Sequence, residues 1–554
     1  MKKSLLARKL VSAGVAAGLI VGLAACSSGS GDSSGSGTTL TVAAQSDNLT
    51  QSFNPYLPNS AQGVTFTSPG SGGFIYEPLV QINTVDIGKD IPWLGQKWTW
   101  SNGNKTLTVD LKKGVKWSDG KPFSSADVVF TYEMLMKSAA LNIGGVPAGT
   151  ASAPDANTVV FNFKDPEQQA FTNIVSFPIV SKHIWSKVSD PTKYVDKNPV
   201  GTGAYELSSF SPQSVLLKAN PNYWQGAPKG VTQLRFVAYK DNQGQTNALV
   251  SGQADWGGTY IADAQKTYLS KSKNNHYWAP LAGTDGIIPN LTVWPLSDLA
   301  VRQAISLGVD RKAVGGATDS PPATSVTGLP MPAYESSISP ALQGQNYKQD
   351  IPGAKAKLEG DGFTMGSDGY YTKDGKVAEF SISFPAAYTD IASRVQVLVA
   401  ELKNIGIKLD VDTTSVNDIN NLTATGKFDS TMGYPVNSAP RAFSYYNDTI
   451  NPNLYYPIGQ ATPTFQNIER FQNADAAKLF TEYPLATTDA ARQDIINQIQ
   501  KIFVDNLPWI PMFYWGSYGN WSTAKVTGWP TPSNPYFSPV PNEVVALKLK
   551  PVSK

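Results

Sequence analysis

Two histidines, His183 and His276, carry all the imidazole in this 554-residue chain. They lie far apart, and neither belongs to a ligand-spaced pair. A zinc site or a Ser-His-Asp relay would need one of them. The run Gly31-Asp32-Ser33-Ser34-Gly35 matches the G-x-S-x-G of a nucleophile elbow. That elbow needs a strand before the serine and a helix after it. Here it sits in SSGSGDSSGSGTT (27–39), a Gly/Ser tract that can supply neither. There is no G-x-x-x-x-G-K-[ST] loop, so any ATP-driven step would need a separate subunit. No D-x-[DN]-x-[DN]-G calcium loop occurs either. A facing carboxylate pair could be drawn from many acids, which leaves a secreted hydrolase as a remote alternative. The residue types give little sign of chemistry, and no cofactor or metal is expected.

The one cysteine, Cys26, has a defined setting. Lys2, Lys3, Arg8 and Lys9 precede an apolar stretch from Val11 to Leu23, and small residues follow. That stretch is too short for a comfortable span of about 20 residues. Leu23-Ala24-Ala25-Cys26 resembles a bacterial lipobox, which implies cleavage before Cys26 and lipidation of its thiol. Residues 1–25 are therefore expected to be a signal peptide, with 26–39 a lipidated tether. Removing the four basic residues of the signal leaves 41 basic against 43 acidic side chains. That balance makes nucleic acid an unsuitable partner. Charged residues make up only 16% of the chain, while 41% hydrophobic and 11% aromatic content can fill large cores. No later apolar run is long enough to span a bilayer, so membrane contact is expected through lipid alone. The expected location is the outer face of the cytoplasmic membrane.

The elements that must position a binding site alternate irregularly between strand and helix. Thr106–Leu111 alternates with period two, as do Val159, Phe161 and Phe163, and Leu234–Tyr239 is a further strand. Ser124 begins a helix with Val128, Val129, Tyr132, Leu135 and Met136 on one face. Asp298–Leu307 and Asp390–Asn404 read as helices, the second ended by Gly406 and followed by the strand Ile407–Val411. Thr488 or Asp489 caps a helix that Pro508 stops, and Trp509–Tyr514 is a short aromatic strand. No solenoid repeat is present. The pattern is a mixed α/β chain of at least two lobes.

Three segments carry a resemblance. They are Lys116-Trp117-Ser118-Asp119-Gly120-Lys121-Pro122-Phe123, then Asn198-Pro199-Val200-Gly201-Thr202-Gly203-Ala204-Tyr205 with Asn220-Pro221-Asn222-Tyr223-Trp224, and Val301-Arg302-Gln303-Ala304-Ile305-Ser306 closing with Asp310-Arg311. Tyr76-Glu77-Pro78-Leu79-Val80 and Asn506-Leu507-Pro508-Trp509-Ile510-Pro511 agree in order. Together they resemble the family 5 extracellular solute-binding proteins of ABC importers, the oligopeptide, dipeptide and nickel-binding group. The motifs themselves are expected to hold turns and cores.

The resemblance implies a two-lobed α/β fold of periplasmic-binding-protein type (class II, large, with an extra N-terminal subdomain). The ligand cleft lies between the lobes and closes by hinge motion. The expected boundaries are lobe I at 40–284, lobe II at 285–510 and a return to lobe I at 511–554. The chain would cross near Thr284–Thr292 and near Trp509–Ser517. Expected partners are permease subunits, a separate ATPase and a small-molecule or peptide ligand, with the chain itself a monomer. Dipeptide-binding relatives carry an acidic stretch for the ligand ammonium. The corresponding stretch here, Met432 to Phe443, has no acid and holds Arg441 instead. That departure disfavours short free peptides. Longer peptides held through their backbones are the leading expectation, with a cello- or xylo-oligosaccharide as the alternative on account of 13 Trp and 24 Tyr. The expected cleft residues are Trp256, Tyr260, Trp294, Tyr434, Arg441, Phe443, Tyr445 and Trp515, with Asn290 fixing the hinge edge.

Overall fold

Leu40 and Val42 of the first strand are fully buried, and the strand they belong to seeds the larger of two main sheets. The computed structural model describes residues 37–45, 49–57, 67–68, 71–142, 144–433, 441–462, 466–486 and 488–553. Cys26, residues 27–36 of the expected tether and Tyr434 lie outside them, while Thr38 and Thr39, expected to end the tether, already belong to the first strand, where they pair with the strand at 231–239.

Along the chain, strand β1 (Thr38–Gln45) is followed by β2 (Gly95–Ser101), β3 (Thr106–Leu111), helix α1 (Ser125–Lys137), β4 (Gly149–Asp155) and β5 (Thr158–Phe163). Next come β6 (Tyr205–Ser211), β7 (Ser214–Ala219), β8 (Val231–Tyr239), α2 (Asn242–Val250), β9 (Trp256–Gly257), β10 (Asn275–Trp278) and β11 (Leu281–Pro289). The second half holds α3 (Leu299–Gly308), β12 (Glu379–Pro385), α4 (Thr389–Asn404), β13 (Lys408–Thr414), α5 (Val416–Thr425), β14 (Ser430–Gly433), α6 (Ala442–Ile450), α7 (Ala474–Glu482) and α8 (Asp489–Asn506). The chain returns through β15 (Ile510–Gly516), β16 (Gly519–Ser522) and α9 (Glu543–Lys548).

The larger sheet runs β6-β7-β8-β1-β9-β16-β10, and the second runs β13-β12-β14-β11-β15. β1 pairs in parallel with β8 and β9, and β12 in parallel with β13 and β14, while the other pairings are antiparallel. A separate four-stranded antiparallel sheet, β2-β3-β5-β4, packs with α1 as the extra subdomain of the first lobe. The fold is thus α/β and two-lobed. The apolar cores divide the same way. One large cluster gathers β1, the subdomain and the returning tail, and two more lie in the 281–516 segment.

The chain leaves the larger sheet at Trp278 and enters the second at Leu281. It leaves the second at Gly516 and rejoins the first at Gly519. Both passages therefore take two residues, and Ser517 N–H donates to Pro280 O at 2.9 Å to tie them together. The first passage lies a few residues ahead of the expected stretch at Thr284, because β11 already belongs to the second sheet from Leu281 onward.

The sequence motifs meet inside the first lobe. A Cβ at Gly201 would lie 1.8 Å from Ile75 O, so only glycine lets these two backbones pass. Gly203 N–H donates to Ile75 O, and Ser118 N–H to Gly201 O, both at 2.9 Å. Glu77 and Glu543 share the interior next to them. Glu77 accepts from Trp93 Nε1 (2.6 Å), Trp224 Nε1 (3.1 Å) and Tyr223 O–H (3.2 Å). Glu543, the first residue of α9, accepts the Ala204 N–H at 2.6 Å. Burial raises both acids, and each is a buried neighbour of the other, with Glu77 raising Glu543 further. In the second lobe Arg302 binds four carbonyls, those of Leu296, Ser297, Asn506 and Leu507, at 2.7–3.0 Å. It thereby caps the C-terminus of α8, where unpaired carbonyls attract a cation.

Candidate functional site

A cavity of about 410 Å³ opens between the lobes. That is within the usual size of a small-ligand site. Its first-lobe wall comes from the loop after α1 (Asn142, Gly145, Val146, Pro147) and from Glu167, Gln169, Ala170 and Asn173. Its second-lobe wall is α6 (Phe443, Ser444, Asn447, Asp448) with Tyr456, Thr462, Gln466 and Phe480. α6 presents these groups because its opposite face is anchored: Tyr445 O–H donates to Gly328 O at 2.7 Å and Tyr446 O–H to Thr327 O at 2.8 Å. Phe443 is held flat against Tyr483, with ring centroids 3.8 Å apart.

The polar groups on the walls are amides, acids and the hydroxyls of Ser444, Tyr456 and Thr462. Asn142 is committed to its own loop, donating to Val146 O and accepting its N–H. Asn173 Nδ2 donates to Gly144 O, which leaves its Oδ1 as an acceptor. Gln169 Nε2 donates to Glu167 Oε2 at 2.8 Å, leaving Gln169 Oε1. Across the gap Asn447 Oδ1 accepts from Asn451, and Gln466 Nε2 donates to Asp448 Oδ1 at 2.5 Å. Burial, helped by Asp165, pushes the Glu167 carboxyl up to about 7. Near neutral pH it can therefore donate or accept. None of the described lining residues is a lysine or arginine. Such a lining offers polar groups to a neutral polar chain, and no lysine or arginine to pair with an anion.

A second cavity of about 170 Å³ adjoins the first and shares Gln169 and Pro484 with it. Arg441 and Arg492 line it, with Asp489 paired to Arg492 at 2.9 Å. Arg441 reaches across the gap, its Nη1 donating to Gln168 O at 3.4 Å.

The expected site residues separate into groups. Phe443 is in the cavity wall and Arg441 in the adjoining one. Tyr260 stands at the passages, with its ring 5.6 Å from that of Tyr518. Trp515 is on crossing strand β15, its indole lying over Gly283 of β11, where a Cβ would come within 2.5 Å of Nε1. The structure does not bring Trp256, Trp294, Tyr445 or Asn290 into the cavity. Trp256 is fully buried in the first-lobe core, its N–H donated to Pro539 O and its ring edge-on to Trp529. Trp294 stacks on Phe363 at the second-lobe core. Tyr445 is the anchor already described. Asn290 is fully buried and joins the end of β11 to Gly426 O and Phe428 O. Sequence reading missed Glu167, Gln169, Asn173, Asn447 and Asp448. The one available signal was the polar run Asp165-Pro166-Glu167-Gln168-Gln169 straight after a strand.

Comparison with known proteins agrees with this architecture. The chain is 22% identical to the oligopeptide-binding protein OppA of Bacillus subtilis over 539 residues, covering 89% of this chain and 92% of that one. It is 27% identical to Protein XP55 of Streptomyces lividans over 319 residues, 56% of this chain and 57% of that protein's length. Among solved structures, the mannohexaose-bound periplasmic oligopeptide-binding protein TM1223 of Thermotoga maritima superimposes with a TM-score of 0.82 at 25% identity, over 93% of this chain and 99% of that one. AppA of Bacillus subtilis, in complex with a nonapeptide, gives 0.75 at 19% identity, over 93% of this chain and 99% of that one. The profile of the bacterial extracellular solute-binding proteins, family 5, matches residues 90–453, and the chain belongs to that family.

Proposed function

We propose that this solute-binding protein is the lipid-anchored capture subunit of an ABC importer, tethered through Cys26 at the outer face of the cytoplasmic membrane. Its cargo is an oligopeptide held by its backbone between the lobes and passed to the permease unaltered. The observation that carries this reading is the amide-lined interlobe cavity. An extended peptide presents N–H and C=O groups in alternation, and amide side chains can answer both. Fixed partners for the two chain ends are not needed when a longer peptide runs through a wet cleft. The relationship to OppA supports the same class.

A second reading is favoured by one observation: TM1223, structurally similar over nearly its whole length, holds mannohexaose. Amides also suit sugar hydroxyls, and Phe443, Tyr456 and Phe480 could cover the apolar faces of the rings. Calorimetry with a pool of five- to nine-residue peptides, and separately with manno-, cello- and xylo-oligosaccharides, decides between the two. Heat with peptides, lost in Phe443→Ala and Asn447→Ala, supports the peptide reading. Heat with sugars alone replaces it. Recovery of cleaved products in either incubation would overturn the binding role itself. A micromolar midpoint would correspond to about −8 kcal/mol.

A further inference from the structure

The two passages between the lobes run beside a buried cation. Arg394, in the second turn of α4, is 1% exposed. Its Nε donates to Thr318 Oγ1 at 2.7 Å, and its Nη2 to Ser320 Oγ at 3.1 Å. The guanidinium lies 4.0 Å from the centre of the Phe513 ring on β15. Its Nη1 is 3.4 Å from Asp390 and 3.9 Å from Asp285 on β11. All these partners belong to the 281–516 segment. The remaining contact does not. Arg394 Nη2 lies 3.3 Å from the hydroxyl of Tyr518, which is past the end of β15 on the way back to the first lobe. Tyr518 in turn packs on Tyr260 and Tyr277 of the first lobe.

A few ångströms away the first lobe answers directly. Asn242, at the start of α2, points Nδ2 at Thr389 Oγ1 (3.4 Å) and Asp390 Oδ1 (3.5 Å), at the start of α4. Its Oδ1 accepts from Thr259 Oγ1 at 3.1 Å, which fixes the orientation of the amide. The Asp390 carboxylate thus faces Arg394 on its own lobe and an amide N–H on the other. Both contacts are long, so they add little to stability. Between two lobes that must part and meet, a weak contact suits a reversible one.

We propose that Asn242 and Asp390, with Asp390 held in place by Arg394, form a latch across the hinge that sets how often the lobes stand closed. Asp390 and Arg394 are then positioning residues for capture, and none of the three lines the solute cavity. This goes beyond the cargo assignment and rests on the two-lobed capture reading only for its purpose.

The test needs no ligand. Spin labels at Lys137→Cys on α1 and Lys478→Cys on α7, in the full chain carrying Cys26→Ser, report the interlobe distance by double electron–electron resonance. Asn242→Asp keeps the acceptor for Thr259 but sets a second carboxylate against Asp390. It should raise the ratio of long to short distances at least threefold, on the scale of a like-charge contact near a surface. Asp390→Asn added to Asn242→Asp should bring the ratio back toward wild type, since an amide again faces a carboxylate, short of the part owed to the lost pairing of Asp390 with Arg394. Arg394→Gln should shift the ratio in the same direction as Asn242→Asp. Should Arg394→Gln fail to fold, the Asn242 and Asp390 pair still decides the matter. An unchanged distribution in Asn242→Asp, or an opening that Asp390→Asn does not lessen, overturns the latch. Neither outcome depends on the calorimetric screen, so failure of the latch and failure of the cargo reading remain separable.

Discussion

The buried acids Glu77 and Glu543 make the stability of the first lobe depend on pH. Glu77 is fully buried and its carboxyl is pushed from an ordinary 4.5 up to about 7 by desolvation. Three donors, from Trp93, Trp224 and Tyr223, pull it partly back. Glu543 is raised as well, by burial first and by Glu77 second. The folded chain therefore binds a proton more tightly than the unfolded chain. The stability contributed by that proton is fully present below pH 4.5, falls as pH rises, and is lost once pH passes the folded value near 7. A displacement from 4.5 to about 7 corresponds to about 3 kcal/mol at 1.36 kcal/mol per unit. Glu167 and Asp285, both near 7, and Glu469, near 8, titrate in the same window, so the slope of the wild type alone does not isolate the pair. Glu543→Gln does. The carboxamide keeps an oxygen for the Ala204 N–H and offers an N–H to Glu77, which can then ionise against four donors. Urea unfolding followed by tryptophan fluorescence should show the variant equal to wild type at pH 5 and more stable by about 2–3 kcal/mol at pH 8. If the difference between the two proteins is the same at both pH values, the two acids do not share a proton and the reasoning fails.

Two further outcomes follow from side chains whose surroundings are fully described. Trp256→Phe should lower stability, since it deletes an indole and its bond to Pro539 O, while cargo affinity stays within twofold of wild type; a selective loss of binding in calorimetry would place Trp256 in the cleft after all. Arg302→Lys should destabilise the second lobe by about 2–4 kcal/mol in urea, because one ammonium cannot reach all four carbonyls from Leu296 to Leu507; a shift below 0.5 kcal/mol would remove Arg302 as the clamp of the α8 terminus.

Elements with strong local signals were legible in the sequence. The period-two run Thr106–Leu111 is strand β3 with the bounds expected of it, and Asp390–Asn404 is α4 but for its first residue. The Thr488 cap begins α8 by accepting the Ala491 N–H at 3.1 Å. The cavity was harder to read because its wall residues carry no periodic or motif signal. Asn, Gln and Ser in loops serve turns more often than ligands, and only the meeting of two segments some 270 residues apart gives Gln169 and Phe443 a common purpose. Aromatic abundance pointed elsewhere for a physical reason. Indole rings such as Trp256 and Trp509 bury the most area when they sit inside a lobe, and both are fully buried there. A solute that must be released again is better met by groups that water can also satisfy. On the proposed reading the recognition surface is therefore built from the least conspicuous residues, while the most conspicuous ones fill the cores of the two lobes.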